Sequence, residues 1–104
     1  MIFRRGRFDE LIRRQLDLFE SDEASLLAEG DKADAAWTNA SSDDAEELYG
    51  DYQLVVDAIG ERLYEIRETY AGSLDEEAAE KYRTAFDRAA RKRFGRYATF
   101  LDAD

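Results

Sequence analysis

Apolar residues recur at helical spacing along almost the whole of this chain. Phe8, Ile12, Leu16, Phe19, Leu26, Gly30, Ala33 and Trp37 follow one another at steps of three, four or seven. At about 100° per residue such steps stay within one stripe. Leu11, Leu18 and Leu27 widen that stripe. A strand pattern would alternate with a period of two and draw on β-branched residues, and the chain has only two Val and four Thr. The spacing predicts a first helix over about 8–39, running through Gly30 in phase although glycine costs roughly 1 kcal/mol in a helix interior. A break near Gly30-Asp31 is the alternative.

Ser41-Ser42-Asp43 is the next punctuation, with Asp43 and Glu46 at the spacing of an N-cap and its third helical residue. A second helix is expected over about 43–71, with a stripe of Leu48, Tyr49, Tyr52, Val55, Val56, Ile59, Leu63, Ile66 and Tyr70. Gly72 suits the left-handed residue that ends many helices. Ser73-Leu74-Asp75-Glu76 reads as a capping box. It opens a third helix over about 74–100, with Ala78, Ala79, Tyr82, Phe86, Ala89, Ala90, Tyr97, Phe100 and Leu101 inward and Phe94 at the edge. Short connections between long helices give antiparallel neighbours. The expected fold is all-α, an antiparallel up-down-up three-helix bundle with long helices. Residues 1–7 form a basic N-terminal arm, and residues 8–104 form one domain.

Charge supports that topology. Residues 1–14 carry +3, residues 15–80 carry −17 and residues 81–96 carry +6, within a total of −10. In an up-down-up bundle Arg4, Arg5, Arg7, Arg13 and Arg14 come near Glu65, Glu68, Asp75, Glu76, Glu77 and Glu80. Arg88, Arg91, Lys92 and Arg96 come near Asp34, Asp43, Asp44, Glu46 and Glu47. Exposed pairs are worth about 0–1 kcal/mol each, so they select among arrangements more than they stabilise one.

Few catalytic resources are present. The chain has no His and no Cys, and His is the usual proton shuttle near neutral pH. Its five serines lie in no sequence that resembles an activated-serine motif. Di-metal helical bundles combine inward Glu with Glu-x-x-His motifs. Here Glu46, Glu47, Glu61, Glu65 and Glu68 have helical spacing without that His, as solvated faces do. No EF-hand loop occurs. No cofactor is expected, and the chain is expected not to be an enzyme. No segment reaches the roughly 20 apolar residues of a membrane span, and the start lacks a signal-peptide core. The expected location is therefore cytoplasmic.

Trp37-Thr38-Asn39, between two predicted helices in a cysteine-free chain, resembles the Trp-x-Gly turn of small secreted helical-hairpin proteins. Asn39 stands where that family has Gly, and a third helix is predicted here. The family's carboxy-terminal Tyr-x-x-x-Asp/Glu signal has no match near the end; Tyr64 and Glu68 have the spacing but lie mid-helix. No family is assigned on these residues, and Trp37 is expected in the core at the bundle end.

The expected function is a non-enzymatic helical module that binds another protein or itself, with a homodimer contact drawn from Tyr49, Tyr52, Leu54 and Phe94. One alternative is an anionic-surface or nucleic-acid binder using Arg88, Arg91, Lys92 and Arg96 on a basic amphipathic helix. A net charge of −10 opposes it by long-range repulsion, so neither nucleic acid nor membrane is favoured as partner. Another alternative is a carboxylate metal-binding bundle. One structural pair is also expected. Glu23 lies about 20° from Ile12 on the first stripe and Arg93 about 20° from Tyr82 on the third, at similar heights. Two inward opposite charges at one level are best explained as partners, because an unpaired buried charge is costly.

Overall fold

A computed structural model of the chain describes residues 6–98. Among them are four helices and no strand: α1 (Asp9–Asp22), α2 (Ala24–Thr38), α3 (Ala45–Ala71) and α4 (Glu76–Phe94). A short 3₁₀ segment over 95–98 follows α4. The all-α class is as expected, but the three-helix count is not. Arg4 and Arg5 of the expected basic arm, and Phe100 and Leu101 of the third stripe, lie outside the described residues.

The helix expected over 8–39 is interrupted at Glu23, whereas α2 runs unbroken through Gly30. Glu23 has φ −108° and ψ 26°. Its N–H still donates to the Phe19 carbonyl at 2.8 Å, and its carbonyl accepts from the Leu27 N–H at 2.9 Å. The defect is therefore local. Its cause is visible in the stripe. A straight helix would carry Glu23 back onto the face of Ile12, and an ionised carboxylate there would lose its hydration. The break instead leaves the Glu23 side chain 29% exposed, 3.7 Å from Arg62.

The other boundaries shift by a few residues. α3 opens at Asp44 rather than Asp43, without a side-chain cap. α4 is capped by Asp75, whose carboxylate accepts from the Ala78 N–H at 2.8 Å. Ser73 does not cap it; its hydroxyl donates to the Tyr70 carbonyl. Gly72 has φ −63°, so it ends α3 without left-handed backbone. Gly95, after α4, does use positive φ, at +46°, and there the chain leaves the axis of α4.

α2 packs on α3, α3 packs on α4, and α1 packs on α4 and meets α2 at the break. The core is confined to part of this frame. Phe8, Ile12, Leu16 and Phe19 from α1 and its entry meet Val56, Ile59 and Leu63 from α3 and Tyr82, Phe86 and Ala90 from α4. The Tyr82 ring is fully buried between Phe8, Tyr70 and Phe86. Its hydroxyl donates to Gln15 at 2.8 Å. Beyond that body the molecule is long, 52 × 32 × 22 Å.

Candidate functional site

The extra length is a two-helix arm made from α2 and the first half of α3. None of residues 31–55 is buried, although 19 of these 25 are helical. α4 ends at Phe94, and the 3₁₀ segment folds onto the base of the arm. The Tyr97 hydroxyl donates to Asp31 at 2.7 Å, and Arg96 binds Asp34 at 2.6 Å and Asp31 at 3.4 Å. Burial, together with the hydrogen bond to Asp31, pushes the Tyr97 phenol up to about 12. Gly30 makes this seat: a Cβ there would lie 2.8 Å from the Tyr97 hydroxyl and 3.1 Å from Ile59 Cδ1.

Three aromatic rings cluster on the arm, and one of them, Tyr52, also packs against the core. Trp37 meets Tyr49 edge-on at 5.0 Å between centroids, and Tyr52 lies 6.3 Å from Trp37 and 6.2 Å from Tyr49. Tyr49 remains 46% exposed. Trp37 is half-buried rather than a core residue. Its indole N–H is shielded from solvent yet has no hydrogen-bond acceptor among the described residues. Tyr52 is raised above its ordinary value, first by burial and against the pull of nearby Arg96. Around the rings the arm is acidic. Residues 31–55 contain seven acids and one base, Lys32. Asp31 and Asp34 are committed to Arg96. Asp43, Glu46, Glu47 and Asp51 have no ion-pair partner among the described residues.

The residues expected to share one contact surface are divided by the structure. Tyr49 and Tyr52 come together with Trp37. Leu54 lies about 160° round α3 from Tyr52, is 70% exposed and stands alone. Phe94 sits elsewhere, edge-on to Phe19 at 5.2 Å. The expected anion-binding set is divided too. Arg96 is neutralised at the base of the arm, while Arg88, Arg91 and Lys92 remain on the outer surface of α4.

The expected Glu23–Arg93 pair does not form. Arg93 bonds Asp17 at 2.7 Å and also Glu20, with its side chain 31% exposed. Those acids lie on the flank of α1 that faces α4, and the break turns Glu23 away toward Arg62. The buried ion pair lies elsewhere. Arg67, 5% exposed, donates twice to Asp87, at 2.9 and 3.1 Å, and once to Glu68. Glu68 is held in turn by Arg83 through two bonds of 2.9 Å. The hydrogen bond from Arg83, with that from Arg67, holds the Glu68 carboxyl below its ordinary value. This network ties α3 to α4. Its signal in the sequence was the i+4 step from Leu63 to Arg67 to Ala71, in phase with the buried face.

Other concavities offer less. A groove of about 450 Å³ between α1 and α4 has Ile12, Leu16, Ala85 and Ala89 as its floor and Lys92 and Arg93 at its rim. Arg93 is already paired there. Among the described residues no three acids converge as a metal site would require, and no helix is long and apolar enough to cross a membrane. Comparison with protein-family models, with curated proteins and with solved structures found no match.

Proposed function

We propose that the chain is a non-enzymatic helical interaction module whose working surface is the α2–α3 arm. One observation carries this reading: residues 31–55 include no buried residue, yet α2 and α3 keep helical structure there and gather Trp37, Tyr49 and Tyr52, with Tyr49 46% exposed. Ordering a residue costs roughly 1–2 kcal/mol of backbone entropy, and a half-covered apolar seam returns little of that. A protein partner laid on the aromatic face would supply the missing burial. Aromatic residues are enriched at the centres of such contacts.

Catalysis has little support, since the chain has neither His nor Cys. Binding of anions through α4 is weakened by the loss of Arg96 to Asp34 and Asp31. The test is site-specific photo-crosslinking in the producing cell. A photoreactive side chain at position 49 is expected to give one discrete protein adduct, and the same group at position 54 none. Equal labelling from both positions, or none from position 49, would reject the arm as the working surface.

A further inference from the structure

We infer that the 3₁₀ segment over 95–98 is a strap on a separately opening unit: residues 31–55 unfold and reform while the body stays folded, and the strap's grip on Gly30 and Asp31 sets how often they do so. This goes beyond the interaction reading and does not rest on it, because its readout is helix order and not binding. Every buried residue among the described residues falls outside 31–55. The helical stretches of the arm, 31–38 and 45–55, are 8 and 11 residues long. Isolated helices shorter than about 12–15 residues are marginal even in good helix formers. Gly50, with open space where a Cβ would stand, weakens the second stretch further. α3 is anchored in the core from Val56 through Ile59 to Leu63. α2 is held less firmly: Leu26 and Leu27 pack half-buried on the core, and Gly30 is its one buried residue. Segments with few buried contacts open at lower free energy than the core they join.

What closes over Gly30 is the strap. Gly95, at φ +46° and ψ −110°, turns the chain off the axis of α4 through backbone that L side chains rarely adopt. Tyr97 and Ala98 are then buried, at 6% and 0% exposure. A Cβ on Gly30 would meet the Tyr97 hydroxyl at 2.8 Å and its Cζ at 3.0 Å, so the ring reaches the α2 backbone because residue 30 is glycine. The Tyr97 hydroxyl donates to Asp31, and Arg96 stacks over the Tyr97 ring at 5.1 Å while binding Asp34. The strap thus fixes positions 30, 31 and 34, where the first helical stretch of the arm leaves the body. Arg96 also lies close enough to Tyr52 for its charge to act on that phenol. The strap therefore bears on both helices of the arm, and its release frees the aromatic cluster together with the stretch that carries Trp37.

The test is native-state hydrogen exchange of the full chain, read by mass spectrometry. Emission from Trp37, the single tryptophan, gives a second report from the arm. In wild type, amides within 31–38 and 49–54 should exchange at least about tenfold faster than those within 59–63 and 82–86. Urea should shift Trp37 emission at a lower concentration than it melts the bulk helix followed by circular dichroism. Tyr97→Ser should speed the arm amides by a further tenfold or so and leave the body amides within about threefold of wild type. Tyr97→Phe, which gives up one hydrogen bond, should speed the arm amides by about two- to tenfold. Gly30→Ala should speed arm exchange in wild type. In Tyr97→Ser, where no ring opposes the Cβ, the same change should slow it, because alanine is the better helix former. Arm and body amides that exchange together in wild type, with coincident urea transitions, would overturn the inference. So would Tyr97→Ser that leaves the arm unchanged or that unfolds arm and body alike. Equal effects of Gly30→Ala in the two backgrounds would overturn it as well, since the strap would then not act through that seat.

Discussion

Replacing Arg67 by Met should unfold this protein more readily than any change of a surface charge. Arg67 is 5% exposed, and its guanidinium holds Asp87 through two bonds and Glu68 through a third. In Arg67→Met, Glu68 keeps both bonds to Arg83 and stays satisfied. Asp87 loses its ion-pair partner on α3 while only 17% exposed. Stranding a buried charge costs about 3–5 kcal/mol. The residual exposure of Asp87 allows some rehydration, which points to the lower end, about 3 kcal/mol. For a domain of this size each kcal/mol moves the midpoint by roughly 4–8 °C, so Tm should fall by roughly 12–24 °C. Asp87→Ala removes two bonds of Arg67, whose bond to Glu68 and contact with the Tyr64 ring remain, and should cost about 2–3 kcal/mol, the value of lost bonds to a charged group. The double variant Arg67→Met with Asp87→Leu removes both charges and fills the space. It should be more stable than either single variant and within about 1 kcal/mol of wild type, since apolar replacement of buried pairs is often neutral. Urea melts measure all three. Single variants within about 0.5 kcal/mol of wild type, the span of ordinary surface changes, would refute the reasoning, as would a double variant whose loss equals the sum of the singles.

Two glycines inside helices should respond to alanine with opposite signs. At Gly50 a Cβ meets nothing within 4 Å, so Gly50→Ala should stabilise by up to about 1 kcal/mol; at Gly30 a Cβ would press on Tyr97, and Gly30→Ala should cost about 1–3 kcal/mol through overpacking. Thermal melts giving both changes the same sign would contradict the seat described for Tyr97. Stability should also decline at both pH extremes. Glu68 is lowered in the fold, so its contribution is complete above its ordinary value of 4.5 and is lost as pH falls through the lowered folded value. Tyr82 and Tyr97, pushed up to about 12 from 10, contribute fully below pH 10 and lose that contribution as pH rises to about 12. Tyrosinate absorbance should show these two phenols ionising with alkaline unfolding, and their titration near pH 10 in a folded chain would count against the burial described.

The sequence was most readable where one stripe serves one partner. The α4 stripe of Ala79, Tyr82, Phe86 and Ala90 is buried as its period implied, and so are Val56, Ile59 and Leu63 of α3. It was least readable at Glu23, because the apolar period continues in phase across the break. Periodicity records which residues share a face, and it does not record that α1 serves α4 while α2 serves α3. A charged residue at the centre of an apolar stripe admits two solutions, a buried partner or a bend that frees it. Arg93 offered the first in the sequence, but nearer acids at Asp17 and Glu20 claimed it. The same ambiguity hid the arm's aromatic cluster. Tyr49 and Tyr52 read alike by spacing, yet Tyr52 packs against the core and Tyr49 is 46% exposed.

α3 passes from arm to body as one unbroken helix of 27 residues, so the heading of the aromatic face is indexed to the body by residue count. One residue added to α3 between Tyr52 and Val56 would turn that face by about 100°. Seven residues added there and seven more in α2 would complete nearly two whole turns. Such a chain would keep its body and almost the same heading, with an arm longer by about 10.5 Å. The arm's reach can therefore drift in two-turn increments while its direction is held, and single-residue insertions are the changes this architecture absorbs least.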